Sequence, residues 1–233
     1  GLTIMADENQ RLNEEHNSTI AEIKSALAIP ESRFYLLEEN FRNTYQIAEV
    51  ANFFYVGLAS GKPKSPKKQG SNPELVKATD LNQQVEYIVK VLSGRAPGEV
   101  GVFADNDDLR EQLFNKLQYR LRDKYKVQSY TSVEKRKSKY PIEELTFDQA
   151  GTLTVINRHS CKGLEFDFVF IPEIQSIDID GSNLDTFKMN MYVMCSRARE
   201  ALYMLYSSST GDEPAILEYL PSKETGLLEY KYV

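Results

Sequence analysis

Two apolar runs, residues 153–156 (LTVI) and 166–171 (FDFVFI), bracket the polar loop of HSCKGLEFD at 159–167. A strand, a short loop holding His, Lys, Gly and Glu, then a second buried strand is how a parallel α/β sheet presents ligand-binding groups. They are expected at the carboxyl ends of strands, where crevices form. The rest of the chain repeats the alternation. Strand-like runs fall at 34–37, 75–78, 100–104, 127–130 and 202–206, and a short one at 2–5. Between them lie helical periods: Ile20, Ile23, Leu27; Ile47, Val50, Ala51, Phe54; Leu81, Val85, Ile88, Val89, Leu92; Leu109, Leu113, Leu117, Leu121; and a helix over about 184–194. Thr19 and Glu22 have capping-box spacing, and Pro30 is expected to end the helix they start. Strands alternating with helices of 10–15 residues imply a mainly parallel sheet covered on both faces.

At 233 residues the chain is long enough to bury a sizeable core in one or two domains. No apolar run approaches the ~20 residues needed to span a bilayer. No basic segment followed by an apolar stretch opens the chain, so no membrane partner is expected. Two cysteines, Cys161 and Cys195, are too few for a disulfide framework, which favours a reducing cytoplasm. The net charge of −6 argues against a dedicated, high-affinity DNA-binding module, but not against a motor that grips a few phosphates transiently. Residues 60–73 read as an exposed loop, and 131–150 as a polar excursion. The lysine clusters at 62–68 and 134–139 suit solvated loops better than a phosphate-binding surface. Only His16 accompanies His159, and the cysteines are far apart, so no metal site is expected.

Four short motifs, MADENQRL (5–12), ENFRN (39–43), HSCKGLEFD (159–167) and YVMCSRARE (192–200), resemble in content and order the later motifs of UvrD/Rep/PcrA-like superfamily 1 DNA helicases. The resemblance implies a RecA-like, three-layer αβα sandwich with a mainly parallel sheet. Residues 1–31 would be the trailing edge of a first RecA-like domain, and 32–233 the second. It implies an ATP site shared between those domains. Arg42 and Arg197 then match the arginines that meet the γ-phosphate, a task suited to a planar, always charged fork. Either one alone would read as half of a surface ion pair. Gln10 matches the glutamine that senses the γ-phosphate, although Ala6 replaces the family glycine and no stacking aromatic follows. Phe41 stands where the family usually has a tyrosine stacked on adenine; a core phenylalanine is the other reading. Glu165 matches the ribose-binding glutamate. Gly163 permits a tight turn or a close backbone approach. His159 and Lys162 match residues facing single-stranded DNA and the turn itself.

Two features are missing from the sequence. It has no G-x-x-x-x-G-K-[ST] phosphate loop, and no apolar strand ends in an Asp-Glu pair for Mg²⁺. The resemblance places both in the first domain, so ATP and Mg²⁺ belong to the full-length protein and the fragment alone is expected to be inactive. The expected partners are single-stranded or partly duplex DNA and the first domain of the same polypeptide. The leading expectation is the C-terminal motor domain of an ATP-dependent DNA helicase or translocase. The alternative is a non-catalytic nucleic-acid-binding or regulatory module on the same fold.

Overall fold

A computed structural model describes residues 2–7, 18–37, 39–57, 61–131, 144–179, 184–208 and 213–233. Five helices, α1 (Ile20–Ala26), α2 (Tyr45–Phe53), α3 (Leu81–Ser93), α4 (Asp107–Leu121) and α5 (Leu184–Cys195), accompany seven strands. The strands are β1 (Glu74–Ala78), β2 (Val100–Ala104), β3 (Lys126–Tyr130), β4 (Thr152–Asn157), β5 (Phe166–Ile171), β6 (Ala198–Ser207) and β7 (Glu229–Tyr232). They form one sheet in the order β3-β4-β2-β5-β6-β1-β7, and every paired neighbour runs parallel.

Period-two alternation sends side chains into two separate cores. Phe103, Ile156, Val169, Leu202 and Met204 pack with α2 and α5 on one face. Val102, Val155, Phe170, Tyr203 and Leu205 pack with α3 and α4 on the other. Both faces are covered, so the central strands are apolar almost throughout, as parallel strands buried on two sides must be. The helices are fixed at their starts by polar caps. Thr19 and Glu22 form the expected capping box. The side chains of Thr44, Asp80 and Asn106 accept from backbone N–H groups at the starts of α2, α3 and α4.

Several expectations are corrected. Residues 34–37 form no strand: Tyr35 and Leu37 are about four-fifths exposed and lie outside the sheet. Residues 2–5 likewise form no strand. Apolar character marks surface that favours cover, and a strand also needs a neighbour to pair with. Pro30 does not end α1, which stops at Ala26; it instead precedes a single 3-10 turn, Glu31–Arg33. The edge strand β7 has no counterpart in the sequence reading.

The 61–70 stretch is mostly exposed, as a loop rich in Pro, Gly, Ser and Lys should be. Most of the 131–150 excursion, and the 134–139 lysines with it, lie outside the described residues. Its returning limb is pinned to the sheet: the Lys126 amine donates to Thr146 Oγ1 (2.6 Å), and the Asp148 N–H donates to Glu99 Oε1 (2.8 Å).

Candidate functional site

In an all-parallel sheet every strand begins at one edge and ends at the other. Glu165 immediately precedes β5 and Arg197 immediately precedes β6, so both stand at the amino edge. This corrects the expectation that the loop groups sit together at the carboxyl ends. Any connection between parallel strands leaves one edge and arrives at the other. The loop 158–165 starts beside Asn157, which is level with Ala104, and ends before Phe168, which is level with Val100. It therefore crosses over β2, with Cys161 fully buried against the α2/α5 core as its anchor. His159 is left near the carboxyl edge and Glu165 at the amino edge.

Arg42 is brought to the same edge by a turn built from asparagines. Asn40 Oδ1 accepts from the Arg42 and Asn43 N–H groups (3.0 and 3.2 Å), and its amide donates to Asn43 Oδ1 (2.7 Å). The Asn43 amide then donates to the carbonyls of Ser196 (3.1 Å) and Ala198 (2.5 Å). Asn43 is 1% exposed. Neither asparagine was singled out in the sequence; the only signal was that they bracket Phe41–Arg42.

The guanidinium of Arg42 forms an ion pair with Glu165, both side chains being about one-third exposed. Burial of the Glu165 carboxyl raises its pKa. The hydrogen bond and charge of Arg42, with the charges of Arg197 and Arg199, outweigh that and hold it below the usual glutamate value. Arg197 is 1% exposed. Its guanidinium donates to Val193 O (3.1 Å), Ser196 Oγ (3.1 Å) and Leu164 O (3.4 Å), all neutral acceptors. Burial lowers its pKa from the ordinary arginine value, and Cys161, Arg42, Glu165 and Asp7 also act on it electrostatically. The structure thus brings Arg42, Glu165 and Arg197 together, and the charge of Asp7 also acts on Arg197. Gln10 lies outside the described residues.

Phe41 is 84% exposed, which removes the core-phenylalanine reading. Gly163 has φ +85°, and nothing lies within 4 Å of where a Cβ would be. Its freedom therefore serves the turn and not a close approach. His159 and Lys162 are exposed residues of the crossover. Desolvation of the His159 ring, then the adjacent Arg158 charge, lowers its pKa below the ordinary histidine value.

Arg199 lies just beyond the Arg197 turn. It is the second residue of β6, and it bridges Asp167 (3.0 Å) and the buried Glu99 (3.1 Å). Among the described residues no group of three or more His, Cys, Asp or Glu is placed to hold a metal ion.

No protein-family model matches the chain. It is 40% identical over 57 residues to the RecBCD enzyme subunit RecB of Chlamydia pneumoniae, a match covering 24% of this chain and 5% of that protein. It is 32% identical over 90 residues to DNA helicase II of Rickettsia typhi, covering 35% of this chain and 14% of that protein. The fold matches the C-terminal domain of a possible DNA helicase from Lactobacillus plantarum WCFS1, with TM-score 0.55 and 19% identity over 82% of this chain and 98% of that one.

Over those short stretches the chain is similar to RecB and to DNA helicase II. Its α/β fold, with an all-parallel sheet, is similar to that of the helicase C-terminal domain just named. It spans only a small part of the length of the curated relatives it matches. Among the described residues no helix is long and apolar enough to cross a membrane.

Proposed function

We propose that this chain is the second RecA-like motor domain of an ATP-dependent DNA helicase or translocase. The single observation that carries this reading is the convergence of Arg42, Glu165 and Arg197 on the amino edge of the sheet, with Phe41 exposed on the same turn. Two guanidiniums, one ionised carboxylate and one open aromatic face match the phosphates, ribose and base of a nucleotide in number and chemistry.

Each group has a task its chemistry suits. Phe41 offers a face for adenine. Glu165 accepts from ribose hydroxyls, a role that requires Arg42 to leave it for phosphate. Arg42 and Arg197 stabilise charge that develops on the γ-phosphoryl group. Mg²⁺ neutralises phosphate charge when bound, and its ligands belong to a first domain that also supplies the phosphate loop. Residues 1–31 would lead from that domain, with Gln10 reporting the γ-phosphate to the DNA path. His159 and Lys162, on the crossover and exposed, are the candidate contacts to single-stranded DNA.

The test is ATP hydrolysis by the full-length protein with and without single-stranded DNA, beside the isolated 233-residue chain. The reading expects DNA-stimulated turnover from the first and none from the second. A full-length protein that hydrolyses no ATP overturns it in favour of a non-catalytic module.

A further inference from the structure

We infer that Asn43 is a positioning residue that sets the placement of Arg42 and Arg197 relative to each other. The inference rests on the roles proposed above for those two arginines and names the part that holds them in register.

Asn43 is the residue next to Arg42, and its amide grips the carbonyls on both sides of Arg197, those of Ser196 and Ala198. Its own oxygen is held by Asn40, whose other polar atom fixes the Arg42 and Asn43 N–H groups. Every polar atom of the Asn43 side chain is therefore committed, in a place that is 1% exposed.

The backbone of Arg197 is tied on two further sides. Its N–H donates to Met194 O (3.2 Å), and its carbonyl accepts from the Phe166 N–H (3.0 Å), one residue after Glu165. One primary amide thus joins the Arg42 turn to the Arg197 turn, and the same turn abuts the strand that carries Glu165.

The chemistry is specific to a short primary amide. Two donors on one nitrogen are needed to meet two carbonyls, and one acceptor is needed to meet Asn40. The serine of the resembled N-Y-R-S motif has a single hydroxyl proton and cannot bridge both carbonyls. Aspartate has no donor and would set a carboxylate against two carbonyl oxygens. Two charged forks acting on one phosphoryl group must be placed to a fraction of an ångström, and misplacement by ~1 Å can cost ~10²-fold in rate.

The experiment uses the full-length protein and steady-state ATP hydrolysis with saturating single-stranded DNA. Asn43→Ala, Asn43→Ser and the nearly isosteric Asn43→Asp are compared with Arg197→Ala and with the double variant Asn43→Ala/Arg197→Ala. The expected result is a fall in kcat of roughly 10²-fold for each Asn43 variant, with KM for ATP within about threefold of wild type. On the Arg197→Ala background, Asn43→Ala should cost no more than about twofold, because no second arginine is left to hold in register with Arg42. A merely structural asparagine would give independent, multiplying losses, and that result overturns the inference. Unchanged kcat in the Asn43 variants, with Arg197→Ala inactive, overturns the inference alone and leaves the functional reading standing. A wild-type protein that hydrolyses no ATP overturns both. If Asn43→Ala does not fold, Asn43→Ser decides by the same criteria.

Discussion

Removing the Arg199 guanidinium should destabilise the fold in a way that depends on pH. Arg199 bridges Asp167 at 3.0 Å and Glu99 at 3.1 Å, and the Glu99 side chain is only 2% exposed. Desolvation raises the pKa of Glu99, opposed by the hydrogen bond from the Asp148 N–H and by the charge of Arg199. In Arg199→Ala the buried carboxylate loses the cation paired with it. Breaking a fully buried pair costs ~3–5 kcal/mol. The Arg199 side chain is 30% exposed, so water screens part of the loss, and about 2 kcal/mol is the working figure. For a chain of this size that corresponds to a fall of roughly 4–8 °C in Tm.

The sign of the pH dependence follows from linkage. A carboxyl whose folded pKa lies above its unfolded value binds more protons when folded, so its contribution to stability falls as pH rises through that window. Loss of Arg199 raises the folded pKa of Glu99 further and widens the window. The deficit of Arg199→Ala against wild type should therefore be largest near pH 7–8 and shrink toward pH 5. Adding Glu99→Gln should recover part of it at pH 7. Urea unfolding followed by circular dichroism at pH 5, 6, 7 and 8 measures this directly. A deficit under ~0.5 kcal/mol, or one that grows as pH falls, would refute the reasoning.

Two further outcomes follow from burial and charge. The His159 imidazole should titrate below the ordinary histidine value of ~6.5 in an NMR pH series, and DNA binding by the full-length protein should then show no His159-dependent change between pH 7 and 8; a midpoint above that value would contradict it. Cys161 and Cys195 are fully buried, and burial pushes Cys161 up to about 12 and Cys195 higher still. Neither should react with a thiol reagent at pH 8 until the chain is unfolded, and rapid labelling of the native protein would show the core to be open.

The central sheet is legible in the sequence because strands buried on both faces are written as apolar runs. Residues 100–104, 153–156, 166–171 and 202–206 all lie in it. Strand β7 escapes because EYKY is a polar edge strand whose pairing partner, β1, lies far away in sequence. Residues 34–37 mislead for the opposite reason, being apolar but without a neighbour to pair with. The residues of the site are legible as motifs, yet their relation is not. Asn43 contacts a turn 153 residues further along the chain, and no local pattern records that contact. The separation of His159 from Glu165 is a property of sheet topology: eight residues of loop read as one site but cross from one edge to the other. Arg199 illustrates the same limit, since its place at the start of β6 is set by the distant parallel neighbour β5, which pairs Phe166 with Ala198.

Arg197→Ala in the full-length protein tests the central claim most directly. ATP hydrolysis with single-stranded DNA is measured beside equilibrium binding of ATP, with Arg197→Lys as the companion variant. The account predicts a loss of ~10³-fold or more in turnover with ATP affinity largely kept, and poor rescue by lysine, which lacks the planar fork. Turnover within a few fold of wild type in Arg197→Ala, from a protein that does hydrolyse ATP, would contradict it.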